Sequence, residues 1–197
     1  MTGQERRQQL LDIGRRLFAE RGFEGTSIEE IAAQAGVSKP VVYEHFGGKE
    51  GLYAVVVDRE VERLTTVTMT LFQGPHSKPK FEAAAVSLLR YIEENADGFR
   101  ILVRDSSQGA NSGTYGTLLA DIAGQVDNIM ADFLKSRGRD PKLAPMYSQM
   151  MVGMVAFTAQ WWLDARKPKL EQVAAHLIDL AWAGLAGLGP NLKAPVG

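Results

Sequence analysis

Several side chains between residues 38 and 49 can donate hydrogen bonds or carry positive charge: Ser38, Lys39, Tyr43, His45 and Lys49. Such groups can bind phosphate oxygens, and a lysine can also donate to acceptor atoms on a base edge. Pro40 and Val41 lie between them and offer apolar surface that suits a thymine methyl group. This combination would fit a nucleic-acid groove if one short helix presents it.

Two short helices joined by a tight turn are predicted over residues 26–46, and they would position this set. Ser27 is a good N-cap, and Glu30 three residues later completes a capping box. Gly36 provides the left-handed residue that often ends a helix, and Ser38 caps the second helix. The first helix would bury a stripe of residues at helical spacing: Ile28, Ile31, Ala32 and Ala35.

The second helix would bury Val42 and Phe46, which are one turn apart. Pro40 is tolerated there because it lies in the first turn. The remaining side chains would face a major groove. An ordinary helical hairpin has the same caps and glycine turn, so the spacing alone leaves both interpretations open.

The flanking residues distinguish these two interpretations. An amphipathic helix leads into Arg21-Gly22-Phe23, and the second helix is followed by residues 48–53, Gly-Lys-Glu-Gly-Leu-Tyr. With Val37–Phe46 between them, this order resembles the DNA-binding domain of the TetR family of bacterial transcriptional regulators. The resemblance is specific over roughly residues 5–55. It implies a homodimer that represses transcription from a palindromic operator and leaves the DNA when a small molecule binds.

The resemblance also implies which side chains meet double-stranded DNA. Thr26 and Ser27 would bind backbone phosphate through hydroxyl and N–H groups at a helix N-terminus. Tyr43 and Lys49 would also bind phosphate, and His45 would either do so or cap the end of the recognition helix. The residues expected to face the bases are Ser38, Lys39, Pro40 and Val41.

Helical periodicity continues beyond this region and predicts an all-α protein of about nine helices. The DNA-binding head would span 1–47, and an effector-binding and dimerisation domain would span 48–197, beginning with a connecting helix at about 48–72. Residues 65–68 (Thr-Thr-Val-Thr) would suit a strand, but no hairpin turn or partner strand lies nearby, which favours helix. Two segments rich in Gly, Pro and Ser are predicted as loops: 73–79 and 106–116.

In the family the C-terminal helices line a ligand pocket, so large and adaptable side chains there are the candidates for effector contact. They are Phe99, Tyr115, Met130, Tyr147, Met151, Met154, Phe157 and Trp161. For each residue alone, packing in the core is the alternative. Because methionine suits loosely specific apolar sites and few buried charges are available, we expect an apolar or amphipathic effector.

A short recognition helix offers few contacts, so two copies spaced by about 34–36 Å would be needed to read a near-palindrome. The last two helices are predicted to form the dimer. Ala181, Gly184 and Gly187 would allow close approach there, and Leu177 and Leu180 would add apolar area.

Composition limits the function classes. The net charge is −1, and residues 1–50 carry seven Lys/Arg against eight Asp/Glu, so the chain is no general polyanion binder. A site-specific dimer needs only local positive charge. Cysteine is absent, which excludes disulfides and thiolate metal sites. No signal peptide is evident and the longest apolar run, around 150–163, is too short for a bilayer, so a cytoplasmic location without membrane association is expected.

Two other function classes compete with this interpretation. An enzyme is disfavoured because the three histidines are scattered and neither a His-Glu-x-x-His nor a Gly-x-Ser-x-Gly motif occurs; no metal or cofactor is expected. Alternatively, the C-terminal domain could serve only dimerisation or docking of a protein partner, without a small ligand. A buried cavity would favour a sensor, and a solid core would favour this alternative.

Overall fold

The computed structural model describes residues 1–71, 78–105 and 114–188, and over these residues the secondary structure consists of helices and turns, without a strand. The predicted all-α class is confirmed. The described part of the chain holds nine α-helices and one 3₁₀ turn: α1 Gly3–Arg21, α2 Ile28–Ala35, α3 Lys39–Phe46, α4 Lys49–Leu71, α5 Lys78–Glu94, α6 Ala96–Asp105, α7 Thr114–Ser136, the 3₁₀ turn Pro141–Leu143, α8 Ala144–Ala165 and α9 Leu170–Ala186.

The helix predicted at about 48–72 is present as α4, which contains the β-branched residues 65–68, and its connecting role stays a prediction. Most of the two predicted loops, 73–79 and 106–116, lies outside the described residues. Where the structure describes them, α5 begins at Lys78, one residue before its predicted start at about Pro79, and the predicted loop was wrong for Thr114–Gly116, which begin α7. The first turn of a helix tolerates polar and small residues. The composition at these helix starts therefore also predicts a loop.

The chain divides into two compact units. The first consists of Met1–Leu64 with Asn95–Tyr115, and the second of Thr65–Glu94 with Gly116–Gly197. Helix α4 supplies residues to both units. This division follows packing rather than the predicted sequence boundary at 47/48, which stays a prediction.

In the first unit, α1 forms the base on which the helix-turn-helix pair packs. Its buried side chains include Leu10, Leu17 and Phe18. A Cβ on Gly14 would lie only 3.0 Å from a methyl carbon of Leu52, so the absence of a side chain lets α4 approach α1 closely. The rings of Phe18, Phe23 and Tyr53 pack together beside this contact, with centroids 4.9–6.3 Å apart.

A buried carboxylate joins α1, α4 and α6 within the first unit. Glu60 is 3% exposed, and its Oε1 lies 2.8 Å from Arg15 Nε and 2.8 Å from Arg63 Nη1. Gly98 of α6 lies against this carboxylate, since a Cβ there would overlap with Glu60 Oε2. The position of α6 on the head therefore depends on a glycine and on one acid held by two arginines.

In the second unit, α5 packs along α9, and the contact is bordered by ion pairs such as Lys78–Asp179 (2.7 Å) and Arg90–Glu171 (3.5 Å). The pKa of Asp179 is lowered, mainly by its hydrogen bond from Lys78, and the pKa of Lys78 is raised by the same bond. Within the described residues, no helix is long and apolar enough to cross a membrane.

Candidate nucleic-acid interface and effector region

The first helix of the motif starts as predicted, with one correction. The hydroxyl of Ser27 accepts the N–H of Glu30 at 3.2 Å, which is half of a capping box. The carboxylate of Glu30 lies 2.7 Å from Arg21 Nη1 and forms an ion pair with it. The full capping box was therefore wrong, because a nearby arginine offers the acid a stronger, charge-assisted partner.

The turn and the second helix follow the predicted pattern. Gly36 ends α2 with φ of 64°, a left-handed conformation that glycine adopts without strain. Val42 is fully buried and anchors α3, as expected. Phe46, predicted to be buried with it, is only partly covered, and the guanidinium carbon of Arg7 lies 4.7 Å from the centroid of its ring.

The first turn of α3 is open to solvent. Ser38, Lys39 and Pro40 are exposed, and the side chain of Ser38 makes no capping hydrogen bond. Val41 and His45 are half-buried, and Tyr43 is 54% exposed. The structure thus brings the predicted base-facing residues together on one accessible turn of a helix whose opposite side is anchored in the core.

The ammonium of Lys39 is not free in this structure. It forms an ion pair with the carboxylate of Glu29 in the first turn of α2, and both side chains are more than half exposed. The hydrogen bond from Lys39 is the main reason that the pKa of Glu29 is lowered. Glu29 was not among the predicted interface residues, and the ten-residue separation of these opposite charges across the turn is the sequence signal that indicates the pair.

Tyr43 and Lys49, the predicted phosphate contacts on either side of Gly47-Gly48, have different surroundings. The ring of Tyr43 lies against Gly48, whose φ is 138° and where a Cβ would be 3.5 Å from the ring. Lys49 donates to the carbonyl of Phe23 at 3.0 Å, and its ammonium lies 4.2 Å from the Phe23 ring centroid. An ammonium has three donors, so Lys49 retains others for a phosphate.

Thr26 does not fit its predicted contact with phosphate. The residue is 2% exposed, its hydroxyl donates to the carbonyl of Gly22 at 2.8 Å, and its N–H lies 3.3 Å from the carbonyl oxygen of Phe23. These bonds fix the turn that leads into α2. We therefore leave Thr26 out of the interface and keep Ser27, which is exposed.

The predicted effector residues separate into groups. Met130 and Tyr147 are buried together with Leu134, and Met151 packs against this cluster. Met154 of α8 is half-buried. Phe99 is buried but belongs to the other unit, and the side chain of Tyr115 lies outside the described residues.

Two of the predicted effector residues lie at the surface of the described chain. Phe157 is 72% exposed and Trp161 is 55% exposed, so neither lines the interior of the chain as described. Trp162 is the buried member of the Trp pair at 2% exposure, and its indole N–H donates to the carbonyl of Pro168 at 2.9 Å. Helix α8 is apolar on more than one side, so sequence alone did not show which side faces the core.

Comparisons with known proteins agree with this geometry. Residues 10–56 match the family model "Bacterial regulatory proteins, tetR family", and residues 79–184 match "Tetracyclin repressor-like, C-terminal domain". The HTH-type transcriptional activator FasR of Mycolicibacterium smegmatis is 29% identical over 184 residues, which is 92% of this chain and 84% of FasR.

Solved structures share the fold. A TetR-like transcriptional regulator from Rhodococcus sp. RHA1 superposes with a TM-score of 0.74 at 26% identity, over 93% of this chain and 97% of that one. The transcriptional regulator FadR from Bacillus subtilis, solved in complex with stearoyl-CoA, gives 0.68 at 19% identity, over 90% and 98%. With both domain models matched in order along the chain, the protein belongs to the TetR family of bacterial regulatory proteins.

Proposed function

We propose that this chain is a ligand-responsive repressor that binds a palindromic operator as a homodimer and is released by a small amphipathic effector. The observation that carries the DNA-binding part is the open first turn of α3. Ser38 presents a hydroxyl there, Lys39 an ammonium and Pro40 an apolar ring. The buried Val42 anchors the opposite side of the helix in the core. A rigid helix with such an end is what major-groove reading requires.

Three groups around this turn would hold the DNA backbone. Ser27 lies at the N-terminus of α2, where free N–H groups and the helix dipole favour an anion. The Tyr43 hydroxyl and the remaining donors of Lys49 would bind further phosphates. Such contacts fix the register of α3 without selecting a sequence.

A second copy of the chain is the partner that best fits the exposed side of α8. Met146, Met150, Phe157 and Trp161 are each more than two-fifths exposed and are separated by four, seven and four positions, so they lie on one face. Leu180 of α9 is exposed as well. Apolar stripes of this length are unfavourable in water and are typical of helical dimer interfaces.

The effector would be held in the second unit. Met130, Tyr147 and Met151 supply adaptable apolar surface. Within the described residues, Asp127 Oδ1 and Ser148 Oγ are buried without a hydrogen-bond partner, which is costly unless a ligand or water satisfies them. An amphipathic molecule would meet both needs, and the stearoyl-CoA bound by FadR belongs to that chemical class.

One observation favours the alternative of a C-terminal domain that only dimerises or docks a protein. Met130, Leu134, Ala144 and Tyr147 already pack on one another as a core cluster. Under this alternative, DNA binding would persist but no small molecule would change it.

One experiment distinguishes the effector-responsive regulator from the alternative in which the C-terminal domain only dimerises or docks a protein. The operator complex, followed by fluorescence anisotropy, is titrated with acyl-CoAs of several chain lengths, and free coenzyme A serves as the control. Chain-length-dependent loss of operator affinity supports the sensor. An operator affinity that no acyl chain changes supports the dimerisation module. A promoter–operator reporter then tests the sign of regulation: lower output with the protein present supports a repressor, and higher output supports an activator, as FasR is named.

A further inference from the structure

We propose that Glu29 is a specificity-determining residue of the DNA interface, which acts by holding the ammonium of Lys39 in one direction. This inference rests on the proposed DNA-binding function and adds a residue outside the recognition helix to it. Glu29 lies in the first turn of α2, and its carboxylate is paired with Lys39, the first residue of α3.

Because a lysine side chain is flexible, its ammonium needs a partner that fixes its direction. A lysine ammonium is a point charge on a four-carbon stem with three rotatable donors. An unrestrained Lys39 could therefore reach a phosphate or several acceptors on base edges. Within the major groove, guanine, adenine and thymine all offer acceptors, so a mobile ammonium would discriminate poorly.

Pairing with Glu29 restricts these choices. One donor of the ammonium is directed at the carboxylate, and the other two are left for the DNA. The two acceptors of a guanine, O6 and N7, match two donors held in a fixed direction. Because the partners lie on different helices that pack together, the direction is set by the fold of the head.

The acid also changes the local charge. A paired Glu29 and Lys39 are together neutral, so this point on the surface adds little to general attraction for phosphate. A freed ammonium would add about one phosphate contact per subunit, or two per dimer. Glu29 therefore lowers affinity for arbitrary DNA while it sharpens the preference for one base pair.

The test compares wild-type protein with Glu29→Gln, which keeps the side-chain shape and removes the charge. Glu24→Gln is the control, because Glu24 is an exposed acid of the same head and is not seen to pair with Lys39. Each protein is used in a selection from random duplex DNA and in a salt titration on a duplex without the operator. Thermal unfolding verifies that each variant is folded.

For Glu29→Gln we expect discrimination at one position per half-site to fall from the roughly 5- to 150-fold of a good two-donor contact to within about twofold. We also expect the slope of log K against log salt on non-operator DNA to steepen by about two per dimer. Glu24→Gln should leave the base preference unchanged. The conservative Glu29→Asp should retain part of the preference, because the charge is kept.

A double substitution separates positioning from direct reading. With Lys39→Ala present, adding Glu29→Gln should change the base preference no further, since there is no ammonium to hold. A further change would show that Glu29 reads a base itself and would overturn the inference. An unaltered preference in the single Glu29→Gln variant would also overturn it. If wild-type protein enriches no sequence, the proposed function fails instead.

Discussion

Lys39 occupies the first position of α3 and is the clearest candidate for reading a base. Replacing it by alanine should relax the preference at one position per half-site, at a cost of about 1–3 kcal/mol for each correct base pair lost. Affinity for non-operator DNA should fall as well, by about one phosphate contact per subunit, because the Glu29 carboxylate is left without its counter-charge. A selection experiment with the variant measures this, and a preference equal to that of wild type would remove Lys39 from base reading.

Tyr43 and Lys49 are expected to act on the DNA backbone. Replacing them together by Phe and Ala should weaken binding to all sequences alike, by about 1.5–3 kcal/mol for each charged hydrogen bond lost. Because Lys49 also bonds to the Phe23 carbonyl, a small loss of head stability is expected too.

The ratio of operator to non-operator affinity is the quantity to measure for this double variant. Lys142→Ala is a suitable control, since it removes an exposed positive charge from the second unit. A variant that binds all DNA as tightly as wild type would show that these residues are not phosphate contacts.

At the scale of elements, the docking of α6 on the head depends on Glu60 and Gly98. Gly98→Ala would place a methyl group in the space of the Glu60 carboxylate and should separate that carboxylate from Arg15. Breaking a buried charge pair costs about 3–5 kcal/mol, so a similar loss in the free energy of unfolding is expected.

Gly124→Ala is the matched control for this prediction. Gly124 lies within α7, and a Cβ added there would meet no neighbouring atom within 4 Å, so alanine should stabilise the helix by about 0.5–1 kcal/mol. Denaturant unfolding of both variants checks the sign of each effect. Equal stability of Gly98→Ala and wild type would show that α6 is not held through this carboxylate.

The helix ends could be predicted from the sequence, but the burial and bonding of some single residues could not. Caps and glycine turns are local signals, so the ends of α2 and α3 were predictable. The burial of Thr26 was not, because its hydroxyl bonds inside the turn that precedes α2. Glu30 was also misassigned, since its choice of Arg21 over the cap depends on where α1 ends.

Burial in the second unit was harder to predict for a similar reason. Trp161 and Trp162 are adjacent and equally apolar, and only the packing of α8 determines that Trp162 is inside. A helix that is apolar on two sides has one side for its own core and one for another partner, and periodicity does not tell them apart. The exposed side is the one we assign to the second copy.

At the scale of the whole molecule, DNA affinity should depend on that second copy. Replacing Phe157 and Trp161 by glutamate puts two charges on the exposed side of α8 and should give a monomer. Operator affinity should fall by about 10²- to 10⁴-fold, because the two recognition helices would no longer be linked. Analytical ultracentrifugation and anisotropy measure the two effects.

Ala120→Glu controls for added charge, since Ala120 is an exposed residue of α7. This control should remain dimeric and keep its operator affinity. A Phe157→Glu, Trp161→Glu protein that stays dimeric and binds normally would place the dimer interface elsewhere.

An effector in the second unit would alter DNA binding by changing the relative positions of the two recognition helices in the dimer. It can shift this equilibrium only to the extent that it binds one state more tightly than the other. Helix α4 supplies residues to both compact units and is therefore one of the covalent links through which such a shift could pass.

Selection of bound sequences from random DNA measures directly whether the chain reads a specific DNA sequence as a dimer. Purified protein, unfolded and refolded to remove bound ligands, is used to select sequences from random double-stranded DNA at near-physiological salt. We predict an enriched palindrome whose half-sites are centred about 10 base pairs or a multiple apart, as two major-groove helices require. A folded, dimeric and ligand-free protein that enriches no sequence would show that the chain is not a sequence-specific DNA reader.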